Sequence, residues 1–304
     1  MDGLILVRKA SPATSHDVVA ALRKILVQKR IGHFGTLDPL ASGLLLAAAG
    51  KATRLFPFYS RLGKTYEGRI RLGFSTDTYD AAGRPTSAES GLYPDRPAVE
   101  KAIHSFVGDI IQVPPSFSAK KVDGKPLYVY ARRKTPVEGR PFPVRIDAFE
   151  ILDYVPPYID FIVKCGPGTY IRALAHDLGR TLGCGAYLAE LVRSGIGEFR
   201  LSDGLTLEEI RDFQENGLTE RFLRPMESLL PALPKVVVSF EGAKRIRNGR
   251  PISAEHLEAS GESGHALLPS DPATVVRLFG PDGRLIGLGR LSEPPHLFAP
   301  FLVL

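Results

Sequence analysis

The 304-residue sequence contains no tryptophan, two cysteines and two methionines. The missing tryptophan carries no functional meaning. Cys165 and Cys184 form no CxxC pair, which argues against a zinc site, and two ordinary thiols in a reducing compartment are expected. No apolar run approaches the ~20 residues that span a bilayer. The stretch Met1–Lys9 holds too short an apolar run for a signal peptide and no basic residues ahead of it. Its Leu4–Val7 portion reads as a buried strand. No internal repeat, low-complexity tract or Lys-rich tail occurs. These absences leave a cytoplasmic globular protein, long enough for one large domain and one small one.

What is present is a positive balance, +6 overall with a pI near 9.3. Its distribution is informative. Ala119–Arg145 carries Lys120, Lys121, Lys125, Arg132, Arg133, Lys134, Arg140 and Arg145 against Asp123 and Glu138, so this segment alone equals the net charge of the chain. A second cluster sets Lys235, Lys244, Arg245, Arg247 and Arg250 against Glu241. A charge run is usually a solvated face. Two such clusters, one with Tyr128 and Tyr130 interleaved, point to a nucleic-acid partner.

The pattern along the chain predicts an α+β fold. Ser15 is a candidate N-cap for a helix over Asp17–Val27, with Val18, Val19, Leu22 and Ile25 on its apolar face. Leu44–Ala49 reads as a buried strand or a helix start. Lys64–Phe74 alternates as a half-buried strand, and Asp77–Pro85 reads as a polar loop. A helix near Arg96–Phe106 is capped by Asp95, a strand follows at Asp109–Val113, and Pro114-Pro115 opens the basic segment as an excursion from the core. Val144–Asp153 and Tyr158–Cys165 pair as strands, and Gly168-Thr169-Tyr170 leads into a helix reaching about Leu182. The elements interleave without a regular βαβ rhythm, so a mixed, largely antiparallel central sheet is expected. After Pro231–Pro234, the short runs Val236–Val238, Thr274–Phe279, Leu285–Leu288 and Phe301–Leu304 predict a small β-barrel. The expected domains are 1–230 and 235–304.

The most informative string is Gly32-His33-Phe34-Gly35-Thr36-Leu37-Asp38-Pro39-Leu40-Ala41-Ser42-Gly43-Leu44-Leu45. The glycines permit positive φ or close approach, and Pro39 pushes Asp38 out of the α region. Asp-Pro alone often just opens a turn. Here the carboxylate is held in a Gly-rich loop ahead of an apolar run, as nucleophilic or acid–base chemistry requires.

The whole string closely resembles the catalytic motif of the TruB-type tRNA pseudouridine synthases, G-H-x-G-x-L-D-P-x-A-x-G-x-L. Three further strings extend the resemblance in the family's order: Lys64-Thr65-Tyr66; Val113–Tyr128 with its Pro-Pro, Ser-Ala and Leu-Tyr pairs; and Gly168-Thr169-Tyr170-Ile171-Arg172 followed by Asp177-Leu178-Gly179. Asn248–Ile252 looks like part of a PUA RNA-binding domain. Phe34 and Ser42 stand where the family usually has Thr, and Lys134 where Gly is frequent.

The resemblance implies isomerisation of the T-loop uridine of tRNA (position 55) to pseudouridine, on a pseudouridine synthase fold with a PUA-like C-terminal domain. No atom is gained, so neither cofactor nor metal is required. It implies that Asp38 is the catalytic carboxylate, acting at the sugar C1′, on the uracil ring, or through a glycal route. Arg172 resembles its ion-pair partner. Tyr66 resembles the residue that stacks on the target base and is a candidate base at C5, and Tyr170 another active-site aromatic. His33 resembles a support for the flipped-out nucleotide. Lys64 would contact the RNA backbone or close the pocket, and Lys120 and Lys121 would help segment 119–145 clamp the RNA loop. The target base must be extruded before reaction. A monomer acting on the tRNA T-arm, with no membrane and no obligatory protein partner, is expected. Because the sequence starts 37 residues before Asp38 and lacks a Lys-rich tail, this stand-alone enzyme is favoured over a guide-RNA-directed box H/ACA synthase. A non-catalytic RNA-binding or chaperone protein is the third reading.

Overall fold

The computed structural model describes the chain except residues 123, 134, 136, 138, 259–273 and 292–296. Asp123, Lys134 and Glu138 of the basic segment therefore lie outside the described residues, as does the side chain of Arg132. In chain order the elements begin with β1 (Gly3–Lys9), α1 (Ser15–Ile25), β2 (Ile31–His33) and β3 (Ser42–Ala49). Next come the one-turn α2 (Phe56–Tyr59), β4 (Lys64–Leu72), α3 (Arg96–His104) and β5 (Gly108–Gln112). The basic segment holds a two-residue-stranded hairpin, β6 (Lys121–Val122) and β7 (Lys125–Pro126), and α4 (Leu127–Arg132). The chain returns in β8 (Phe142–Val155), β9 (Tyr158–Cys165), α5 (Ile171–Thr181), β10 (Ala186–Ile196) and β11 (Phe199–Arg200). It continues through α6 (Leu207–Glu215) and β12 (Leu223–Pro225) to a C-terminal unit of β13 (Lys235–Val237), α7 (Phe240–Arg247), β14 (Val275–Phe279), β15 (Leu285–Leu291) and β16 (Phe298–Val303).

Ten strands form one sheet in the order β12-β1-β3-β10-β4-β9-β8-β5, with β2 on β3 and β11 on β10. Every pairing in it is antiparallel except β3 with β10, which joins its two halves. The ambiguity at Leu44–Ala49 resolves as strand. Leu44, Leu46 and Ala48 enter one apolar cluster while Leu45, Ala47 and Ala49 enter another on the opposite face. The same holds for Leu4 and Leu6 against Ile5 and Val7 in β1. A strand covered on both faces reads as a continuous apolar run, which is why periodicity alone could not assign it.

The start of α1 differs from expectation. Thr14, not Ser15, is the N-cap. Its hydroxyl accepts from the Asp17 N–H while the Asp17 carboxylate accepts from the Thr14 N–H. A reciprocal box of this kind contributes about 1 kcal/mol. Ser15 is thereby freed for a second task, described below. β5 pairs with β8 from Gly108↔Ile146 to Gln112↔Phe142, so the described residues of 113–141 lie between these two strands, while residues 142–145 of the basic segment belong to β8 itself.

The C-terminal strands form a separate sheet, β13-β14-β15-β16. Residues 252 to 257 close it toward a barrel, bridging to β16 at Ile252↔Phe298 and to residue 238 at Val238↔Leu257. This unit does not stand apart. Phe279, Leu285 and Leu288 share one apolar cluster with Phe34, Leu44, Tyr59 and Leu229. Arg277 of β14 ties the connecting segment by donating to the carbonyls of Leu233 and Leu229 at 2.9 and 3.3 Å.

Candidate active site

The site lies where the two halves of the sheet meet. The loop after β2 carries Asp38 and returns into β3. β4 supplies Lys64 and Tyr66, β10 supplies Leu191 and Arg193, and the start of α5 supplies Tyr170 and Arg172. Together with Phe117, Ser118 and Ala119 these residues line a cavity of about 260 Å³. Asp38, Lys64, Tyr66, Tyr170 and Arg172 are thus brought together as expected. His33, Lys120 and Lys121 are not among its walls.

Asp38 and Arg172 face each other as a fork. Arg172 Nε lies 2.8 Å from Asp38 Oδ2, and Nη2 donates to Oδ1 at 3.3 Å. The Nε–H direction misses the oxygen, so the shorter contact is an ion pair rather than an aligned hydrogen bond. Arg172 is held in turn. Nη2 donates to the Phe117 carbonyl at 3.0 Å, Nη1 to the Thr78 carbonyl at 3.4 Å, and Nη1 lies 3.7 Å from Asp80 Oδ2. The side chain of Arg172 is 6% exposed and that of Asp38 35%. The carboxylate therefore stays open to the cavity while its partner is locked in place. Such a planar fork fixes the plane of the carboxylate.

The loop is secured along its length. The Ser15 hydroxyl donates to the Leu37 carbonyl at 3.1 Å and accepts from the Leu37 N–H at 2.9 Å. Lys9 Nζ donates to the carbonyls of Ala13, Ala10 and Pro39 at 2.5, 3.2 and 3.4 Å. The Ala41 N–H closes a turn onto the Asp38 carbonyl at 3.1 Å, with Pro39 at its second position. Gly35 sits at φ +94, a conformation that would strain other residues.

Burial sets the electrostatics of the walls. It pushes the phenols of Tyr66 and Tyr170 up from their usual values, so both are neutral near pH 7. Burial, followed by the charge of Arg193, lowers Lys64 to about 8. Its ammonium donates to the carbonyls of Ser60 and Leu62 at 2.8 and 2.6 Å. Lys64 thus lines the cavity with two of its three donors engaged by the protein. Tyr170 is fixed through its backbone, because the buried Gln112 amide accepts from its N–H at 3.0 Å and donates to its carbonyl at 3.2 Å.

The remaining expected residues flank the cavity. His33 ends β2 and meets the His16 ring edge-on at 5.5 Å, and burial holds its imidazole below the ordinary value. Lys120 follows wall residue Ala119, with Nζ 4.1 Å above the Phe142 ring, which meets Tyr170 edge-on. Lys121 is exposed in β6.

Sequence reasoning missed three residues. Asp80 reads in the sequence only as part of a polar loop. Its backbone accepts from Thr76, its carboxylate accepts from the Thr78 hydroxyl, and the loop is pinned to β10 at Leu188. Gln112 carries no local signal. Arg193 does: it shares strand parity with buried Leu191, and a charge at a core position of a strand is a flag. Among the described residues no group of three His, Cys, Asp or Glu side chains is placed to hold a metal ion, and no helix is long and apolar enough to cross a membrane.

An arginine-held aspartate shares its cavity with buried Tyr66 and half-buried Tyr170 at the junction of two antiparallel half-sheets, the arrangement expected of a pseudouridine synthase. Comparison with known proteins supports that class. The family model described as TruB family pseudouridylate synthase (N terminal domain) matches residues 23–171, and that of the tRNA pseudouridylate synthase B C-terminal domain matches 172–231. The chain belongs to the TruB family of pseudouridylate synthases. A protein of Solibacter usitatus named tRNA pseudouridine synthase B is 39% identical over the full length of both chains. One of the same name from Dechloromonas aromatica is 40% identical, covering 97% of this chain and 92% of its own. Among solved structures, a chain of the H/ACA RNP bound to a substrate RNA containing 2′-deoxyuridine matches with a TM-score of 0.72 at 24% identity, over 99% of this chain and 84% of that one. A chain of a Cbf5-Nop10-Gar1 complex matches at 0.71 and 27%, over 99% and 83%. The pseudouridine synthase fold is thereby established.

Proposed function

We propose that this protein isomerises the T-loop uridine of tRNA to pseudouridine, with Asp38 as the catalytic carboxylate. The observation that carries this reading is the Arg172 fork, which presents the partly open Asp38 carboxylate to a cavity walled by Tyr66 and Tyr170. The uridine is flipped out of the RNA into that cavity. The N-glycosidic bond breaks, the uracil turns, C5 joins the ribose C1′, the C5 proton leaves, and N1 takes up a proton, so the atoms balance. Asp38 begins the sequence by attack at C1′, by attack on the ring, or by removing the proton that opens a glycal route; each needs the ionised acid. Tyr66 stacks on the base, and Tyr170 supplies a second aromatic to the cavity wall. His33 supports the displaced nucleotide from outside the cavity. The balance of atoms calls for no redox group and no metal.

Residues 1–230 act as the catalytic domain and 119–145 as a clamp whose Lys120 and Lys121 meet RNA phosphates. Residues 235–304 act as a PUA-like RNA-binding domain, a role supported by Lys244, Arg245 and Arg247 on α7 and by Phe240, 82% exposed beside them. The protein works in the cytoplasm as a monomer, without an obligatory protein partner. Its full-length likeness to proteins named as tRNA enzymes favours this over guide-directed action.

The test is direct. Purified protein alone is incubated with unmodified tRNA transcript and with a T-arm hairpin of about 17 nucleotides, and pseudouridine is mapped by chemical sequencing. Modification of the T-loop uridine in both supports the reading. Strict dependence on a guide RNA or protein partner refutes it.

A further inference from the structure

Arg193 is the largest of the fully buried side chains, 1% exposed. An arginine that deep ordinarily has a carboxylate beside it, because an unpaired buried charge is costly. Arg172 has Asp38 and Asp80. Arg193 forms no ion pair among the described residues; three of its donors go to backbone carbonyls instead, and its charge also lies beside the Tyr66 phenol. Nε donates to Leu44 at 2.8 Å, Nη1 to Thr36 at 3.3 Å and Nη2 to Gly35 at 3.2 Å. Gly35 and Thr36 precede Asp38, and Leu44 follows the loop into β3. One guanidinium therefore clips both ends of the segment that carries the carboxylate.

The strand register explains how it reaches both. On one side of β10, Arg193 stands opposite Gly43 of β3, and on the other opposite Tyr66 of β4. Gly43, at φ +119, has no side chain to hold β3 away; a Cβ there would overlap the backbone N and O of Arg193. A register shift between Arg193 and Gly195 breaks the β10–β4 ladder beside it, the kind of irregularity that re-aims a side chain. Arg193 is thus the point of the sheet from which the Asp38 loop and the Tyr66 strand are both set.

We propose that Arg193 is a positioning residue: it holds residues 35, 36 and 44 so that Asp38 keeps its place relative to Tyr66, and it governs turnover by fixing that loop rather than by gripping the RNA. This rests on the function proposed above. A fork with separated donors is required, because a lysine ammonium offers a single point in place of three spread nitrogens. A misplacement of ~1 Å at a reacting group costs on the order of 100-fold in rate.

The experiment compares wild type and Arg193→Lys on the T-arm hairpin, measuring single-turnover rate at saturating enzyme and hairpin Kd separately. The expected result is a rate lowered ~30- to 100-fold with Kd within about twofold of wild type. A rate within threefold of wild type overturns the proposal, as does a loss of binding that accounts for the loss of rate. Arg193→Ala with added guanidinium is the second arm, since Arg193 borders the cavity. Restoration by guanidinium but not by urea, a neutral molecule of similar shape, supports the role, and equal restoration or none in the folded variant overturns it. Wild-type turnover in the same assay separates the two claims. An inactive wild type refutes the proposed reaction, whereas an active wild type with an equally active lysine variant refutes only the role of Arg193.

Discussion

Replacing Arg172 with lysine tests the geometry of the site most sharply, because it keeps the charge and removes the fork. Arg172 now meets both oxygens of Asp38, the carbonyls of Phe117 and Thr78, and the edge of Asp80. A lysine ammonium placed for Asp38 reaches that carboxylate at one point only, and it leaves the Phe117 carbonyl without a donor. A hydrogen bond involving a charged group contributes about 1.5–3 kcal/mol. Asp38 is about one-third open, so water partly replaces the missing donor at its carboxylate. The net loss of transition-state stabilisation is then about 2–3 kcal/mol, or roughly 30- to 150-fold in turnover. Hairpin affinity should change little, since Arg172 is buried behind the reacting carboxylate. The assay follows tritium released from a T-arm labelled at uridine C5, under single-turnover conditions, beside a filter-binding Kd. Equal turnover by the two proteins would show that the fork is not needed and would remove Arg172 from the mechanism.

Four other outcomes are expected. Asp38→Asn keeps the shape but not the charge, so C5 tritium release should vanish while hairpin Kd stays within a few-fold; near wild-type turnover would exclude Asp38 as the catalytic carboxylate. Neutralising Lys120, Lys121 and Lys125 to glutamine should weaken RNA binding and reduce its log–log salt slope by roughly 0.7–0.9 for each phosphate no longer neutralised; an unchanged slope would show that this segment does not meet the RNA backbone. Gly43→Ala forces a Cβ into the Arg193 backbone at a positive φ, and a loss of ~3 kcal/mol or more in urea unfolding is expected; a loss under about 1 kcal/mol would mean that β3 and β10 are not locked at this point. Burial holds the imidazoles of His33 and His176 below their ordinary value, so below about pH 6.5 the unfolded chain takes up protons first and stability falls with acidification. The double variant His33→Gln, His176→Gln should flatten that slope in urea melts across roughly pH 5 to 7, and an identical slope would refute the assignment.

Much of the chain was legible in one dimension, for a physical reason. Apolar periodicity, caps and turn residues are local, so the strands at Lys64–Leu72 and Tyr158–Cys165 and the Asp95-capped helix could be read directly. The Gly- and Pro-rich loop marked Asp38 because backbone restriction is a property of neighbouring residues. The pairing of Asp38 with Arg172, 134 residues away, was visible only through likeness to a family, since no local pattern encodes it. Tertiary structure alone decided the rest. Thr14 rather than Ser15 caps the first helix, which leaves the buried Ser15 hydroxyl to engage Leu37, 22 residues on, a contact that no local pattern encodes. Leu44–Ala49 is a strand because two separate cores cover its faces. Asp80 and Gln112 matter because folding carries a loop and a strand end against the start of α5. Arg193 stands buried without a carboxylate partner among the described residues, and the register of β10 between β3 and β4 brings three loop carbonyls within reach of one fork. That register is set by the packing of strands far apart in the sequence.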